Sequence, residues 1–181
     1  MRRTLAAAAL LLLPLGYLLV RLFVTGADDP IDFIYALTGS TALFLMFAAS
    51  SFSLLRPWVN LLPYRRITGL FAFFYALLHL LNFLVFDMEL DPAAALRETL
   101  EKPFIYLGMT VFVILLFMAA TSTRKGFARF RSYHRALYPA LLLATIHFVM
   151  AQKALSPFQW GVLLLIALFG IMKLLQRLGR L

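Results

Sequence analysis

The chain has 181 residues, of which 63% are hydrophobic and 14% charged, with no cysteine and a formal net charge of +9. A soluble domain carries about 25% charged and about 45–50% apolar residues, so the composition excludes a soluble enzyme. The missing cysteine excludes disulfides, thiolate catalysis and Cys-ligated iron–sulfur clusters.

The first apolar run covers about Thr4–Val24, behind Met1-Arg2-Arg3. A signal peptide has an apolar core of about 7–15 residues and a small-residue cleavage site. This run is longer, and Arg21, Leu22 and Phe23 stand where that site would fall, so it reads as a retained helix. Further runs cover about Asp32–Leu55, Ile67–Phe86, Pro103–Ala120, Ala136–Ala151 and Phe158–Leu175. The expectation is an all-α polytopic membrane protein, a six-helix transmembrane bundle forming one domain over residues 1–181. Six spans of about 20 residues use about 120 of them. No room remains for a nicotinamide or molybdenum domain, and no GxGxxG occurs.

Charge sorts by connection. Asp28, Asp29 and Asp32 lie between runs one and two, and Asp87, Glu89, Asp91, Glu98 and Glu101 between runs three and four. The other side holds Arg2, Arg3, Arg56, Arg65, Arg66, Arg124, Lys125, Arg129, Arg131, Arg135, Lys173, Arg177 and Arg180. Arg21, Arg97, Lys102 and Lys153 are the exceptions. Basic residues stay on the cytoplasmic face, so both termini are expected there. Membrane lipid, not nucleic acid, is the expected partner of this charge.

Three histidines stand out, because an ionisable group within the membrane is functional by default. His79 lies 13 residues beyond Arg66, about 20 Å along a helix, and His147 lies 12 beyond Arg135, about 18 Å. Both therefore reach the outer half of the membrane at one level. Such a pair is what a bis-imidazole haem requires, and two strong axial nitrogens favour electron transfer over oxygen chemistry. The bland alternative is two histidines packed on each other or on a carbonyl. His134 lies 13 residues before His147, and regular helix geometry points the two about 140° apart. Pro139 between them is able to kink the helix. His134 either ligates a second haem without a matching histidine, or touches a propionate or flavin phosphate, or faces the cytoplasm.

Other residues support this reading. Gly39 and Gly69 allow close approach of a ring or a helix, and Asn82 stands one turn from His79. Arg65, Arg66, Arg129 and Arg131 form a basic rim suited to a flavin phosphate or propionates. Arg97, Lys102 and Lys153 would serve propionates on the outer side. Trp58 and Trp160 fit interfacial belts.

A known family shares these segments in order: Thr38–Leu43, Arg65–Leu70 leading to Tyr75 and Leu78-His79-Leu80, Lys102–Gly108, Thr121-Ser122, Tyr133–Tyr138 and Ile146-His147-Phe148. On these the chain resembles the MsrQ (YedZ) family, the haem-binding membrane subunits of the bacterial methionine sulfoxide reductase system MsrPQ, within the ferric-reductase-like transmembrane group. The resemblance implies haem b (b-type heme) carried by His79, His147 and His134, with FMN as a further cofactor. It implies electrons from the quinone pool or a cytoplasmic flavin reductase. The implied recipient is a periplasmic molybdopterin-containing, MsrP-like methionine sulfoxide reductase that repairs oxidised proteins. The implied place is the bacterial inner membrane. Tyr133 stands where the family commonly has leucine. No residue here is expected to be catalytic; the short chain leaves donor and final catalyst to separate proteins. The rival readings are a stand-alone ferric reductase or cytochrome b-type oxidoreductase, and a non-redox transporter or structural membrane protein.

Overall fold

The computed structural model describes residues 2–152 and 157–178, and all regular elements among them are helical. Helix α1 covers Arg2–Val20 and continues as a π-turn over Arg21–Thr25. It stops at Gly26, whose φ of 77° few other residues adopt. Helix α2 covers Pro30–Leu55. Asp29 caps it by accepting from the Asp32 amide at 3.0 Å, and Pro30 occupies the first turn, where no N–H is missed. Its 26 residues span about 39 Å, more than the roughly 30 Å of a bilayer core.

A 3-10 turn at Leu62–Tyr64 leads into α3, Arg65–Asn82, which is prolonged by a π-turn at Phe83–Asp87. Helix α4, Pro92–Glu101, lies between two spans and is capped by Asp91, which accepts from the Ala93 and Ala94 amides. Then follow α5, Pro103–Ala120, and the short α6, Arg124–Phe130, capped by Thr123. A 3-10 turn at Tyr133–Ala136 opens into α7, Leu137–Met150, and α8 covers Pro157–Arg177.

Helix α2 is the centre, packed along α3 on one side and against α7 on another, while α5 packs on α7. Small residues allow that closeness: Ala42 and Ala49 on α2, Ala72 on α3 and Ala140 on α7 are all buried. Buried hydroxyls are satisfied within their own helices. Thr38 donates to the Ile34 carbonyl, Ser50 to Phe47 and Thr68 to Tyr64. That local pairing lets polar side chains sit where no water reaches.

Four helical segments are long and apolar enough to cross a bilayer: Thr4–Thr25, Pro30–Leu55, Leu62–Asp87 and Pro103–Ala120. The chain is a multi-pass membrane protein. The fifth apolar run forms a helix of 14 residues, about 21 Å long, and within the sixth the apolar stretch is Leu163–Lys173. Segments expected as connections contain α4 and α6, because a capping Asp or Thr starts a short helix without any long apolar run. Lys153 and Arg180 lie outside the described residues.

Helix α1 is held by an unusual contact. The buried Tyr75 hydroxyl donates to the Leu11 carbonyl at 2.8 Å and accepts from the Leu15 amide at 3.1 Å. It is thus spliced into the hydrogen-bond ladder of α1 beside Pro14. Tyr75→Phe removes both bonds. The expected loss is about 1 kcal/mol, a fall in Tm of roughly 2–4 °C, read from a thermal scan in detergent.

Candidate functional site

His79 near the end of α3 and His147 in the last turn of α7 are brought together. Their ring centroids are 6.1 Å apart and their planes are nearly perpendicular, at 87°. A metal–imidazole bond of about 2 Å sets two opposed nitrogens about 4 Å apart and the ring centres about 6 Å apart. The residues present therefore fit one iron held between them.

Each ring is seated in the same way. The His147 Nδ1–H donates to the Phe104 carbonyl on α5 at 2.6 Å, which fixes the tautomer and leaves the Nε2 lone pair available. A Cβ on Gly108, one turn beyond Phe104, would lie 2.8 Å from His147 Cε1. His79 faces the Tyr35 carbonyl on α2, with Thr38 Oγ1 3.4 Å from its Nδ1. A Cβ on Gly39, one turn beyond Tyr35, would lie 2.9 Å from His79 Cε1 and Nδ1. An aromatic residue followed four places later by glycine thus seats each histidine. Phe104 stacks on His147 at 6.1 Å, and Tyr35 meets His79 edge-on at 5.2 Å. Gly39 was legible in the sequence as a place of close approach; Thr38, Phe104 and Gly108 stood only within segments shared with the family, with no role attached, and Tyr35 was not singled out. Asn82 donates to the Ile31 carbonyl at 3.2 Å and so ties α3 to the first turn of α2.

The third histidine is elsewhere. At the basic end, a cavity of about 1380 Å³ is lined by Arg65, Arg66, Arg129, Arg131, His134 and Arg135, with Gly69 in its wall. Ordinary small-molecule pockets measure about 300–1,000 Å³, so a porphyrin or flavin fits in size. His134 stands on the 3-10 turn, which separates it from the α-helix that carries His147. Pro139 falls in the first turn of α7, where a proline is tolerated. The Thr121 hydroxyl donates to the Phe117 carbonyl at 2.7 Å, so in its 3.0 Å contact with His134 Nε2 the imidazole is the donor. The Phe127 ring meets His134 edge-on at 4.8 Å. Burial, and then the nearby Arg65 guanidinium, hold its pKa below the ordinary histidine value. At the acidic end, Lys102 is paired with Glu98 at 2.6 Å.

The ferric reductase like transmembrane component family matches residues 5–145. Several curated relatives carry the name protein-methionine-sulfoxide reductase heme-binding subunit MsrQ. The Bordetella pertussis protein is 38% identical over 140 residues, 71% of this chain and 68% of that protein. The Herminiimonas arsenicoxydans protein is 35% identical over 161 residues, 84% of this chain and 74% of that protein. The Rhodospirillum rubrum protein is 35% identical over 153 residues, covering 79% and 73%. No solved structure matches the chain.

Gly39→Ala or Gly108→Ala would set a methyl group against an imidazole. Overpacking of that kind costs about 1–3 kcal/mol, and the middle of that range is roughly a thirtyfold loss of affinity for the porphyrin. Haem titration of the purified variants, followed at the Soret band, measures it. Affinities equal to that of the unsubstituted protein would count against the glycine seats.

Proposed function

The chain belongs to the MsrQ family, within the ferric reductase like transmembrane components, and from that premise we propose that it is a haem-binding electron-transfer subunit serving a separate methionine sulfoxide reductase. The observation that carries this is the His79–His147 pair, at 6.1 Å between ring centroids and seated on two glycines. His79 and His147 would hold a haem b there, which would supply one-electron carriage. The protein's own residues do the rest. Phe104 fixes the His147 tautomer and stacks on its ring, and Tyr35 and Thr38 face His79.

The basic cavity is read as the entry side. Arg65, Arg66, Arg129 and Arg131 would hold an anionic group, the phosphate of FMN or the propionates of a second haem. His134 would contact that group from the rim or ligate iron through the nitrogen that Thr121 does not engage. The donor would be the quinone pool or a cytoplasmic flavin reductase. The exit side is the acidic rim, where a periplasmic molybdopterin-containing catalytic subunit would dock. This arrangement corresponds to six crossings, cytoplasmic termini and residence in the bacterial inner membrane. A stand-alone ferric reductase would use the same site, but the relatives are named as subunits, which favours a protein acceptor.

His79→Ala and His147→Ala are each expected to abolish the b-type absorption of the purified protein. Retention of that spectrum in both variants would sink the assignment. Glu89→Gln combined with Asp91→Asn should slow reduction of the catalytic subunit several-fold while leaving the haem spectrum unchanged; an unaltered rate would remove the docking role of the rim.

A further inference from the structure

The π-turn that ends α3 carries Asp87 back toward α2. There the Tyr35 hydroxyl donates to Asp87 Oδ2 at 2.6 Å. The same Tyr35 lies edge-on to the His79 imidazole at 5.2 Å, at an interplanar angle of 75°, and its carbonyl faces that ring. Asp87 itself is exposed. Among the described residues the one ion pair is Lys102–Glu98, so the carboxylate of Asp87 is held by a tyrosine and not by a cation. Three residues therefore run in contact from the outer surface to the histidine: carboxylate, phenol, imidazole.

The π-turn is what makes the contact. A π-turn changes the phase of the last residues relative to a regular helix, and such turns recur at functional sites. A carboxylate in charge-assisted contact fixes the phenol more firmly than a neutral partner would. The phenol ring lies against an imidazole that Gly39 also contacts closely, where a Cβ would stand 2.9 Å from Cε1 and Nδ1. A change at the Asp87 carboxylate must then either move the ring or alter the field at His79.

We propose that Tyr35 and Asp87 are positioning residues that set the reduction potential and ligand geometry of the haem held by His79, and that Asp87 makes this setting sensitive to what binds the acidic face. The proposal rests on His79 being an iron ligand. A negative charge near the iron favours the oxidised state, so removing it raises the potential. A partner's cationic group placed on Asp87 acts in the same direction. It would make the haem easier to reduce while the partner is docked, and would release Tyr35 from its hydrogen bond.

The test uses the full-length protein in detergent, loaded with haem, in Asp87→Asn, Asp87→Glu, Tyr35→Phe and the double variant Tyr35→Phe/Asp87→Asn. Potentiometric titration and low-temperature EPR of the ferric form are the readouts. Asp87→Asn is expected to shift the midpoint potential upward, with Asp87→Glu restoring it. Tyr35→Phe is expected to change the ferric g values, and Asp87→Asn should change them less once the phenol hydroxyl is gone, because the pair acts as a unit. Asp87 is exposed, so its variants do not test folding. Haem-loaded variants with the potential and g values of the unsubstituted protein would overturn the proposal and leave His79 ligation standing. Unaltered haem binding in His79→Ala would overturn both.

Discussion

Two imidazoles lie against two neighbouring helices at distances that tolerate no side chain between them, and this close seating constrains the rest. The Gly39 and Gly108 positions are the contact points, and a Cβ at either would stand inside the van der Waals envelope of a histidine ring. To keep those contacts, α2 must hold α3 and α5 must hold α7 at short interaxial distance. The buried alanines of α2, α3 and α7 supply that distance farther along the same helices. Packing and site are thus one problem solved by one device, small residues at the crossing points. His147 Nδ1 donates to the Phe104 carbonyl and the His79 ring faces the Tyr35 carbonyl, so that polar atoms within an apolar bundle have partners.

The two ends of the bundle present different chemistry. At one end a large cavity is walled by guanidinium groups and one imidazole. At the other are a paired histidine site, the Asp87 carboxylate bonded to Tyr35 beside it, and a short helix capped by Asp91. Helix α4 buries Ala95 and Thr99 and turns Leu96 and Leu100 outward. The outer connection is therefore a shaped surface and not a loose loop.

Much of this was readable in the residues. The apolar runs carry their own length signal, and the fourth ends where the helix ends, at Pro103 and Ala120. His79 and His147 were recognisable because ionisable side chains are rare in such runs, and helical rise alone sets them at matching depth. What stayed hidden depended on neighbours far away in the chain. Gly108 means little until His147 stands against it. Tyr75 reads as one aromatic among many until its hydroxyl is found inside the ladder of α1. His134 was ambiguous for a related reason: the change from 3-10 to α geometry at Ala136–Leu137 breaks the regular angle that would relate it to His147. Short helices such as α4 and α6 escape a search for long apolar runs, although Asp91-Pro92 and Thr123 mark where they start.

The segregation of charge has an electrical consequence. In the sequence the eight carboxylates fall in the two connections that join runs one to two and three to four, and 13 of the 17 cationic residues fall in the remaining connections and tails. With the proposed six crossings the molecule would be a fixed dipole along the membrane normal. An electron travelling from the cationic end to the anionic end moves against the dipole's own field, so intrinsic electrostatics tend to retain it at the entrance. With the proposed orientation the transmembrane voltage acts the other way, since the interior of a bacterium is negative. It performs about 2.3 kcal/mol of work per electron for each 100 mV crossed. A resting cell would thus pull charge outward through this bundle, and loss of the voltage would leave the internal dipole to hold it back.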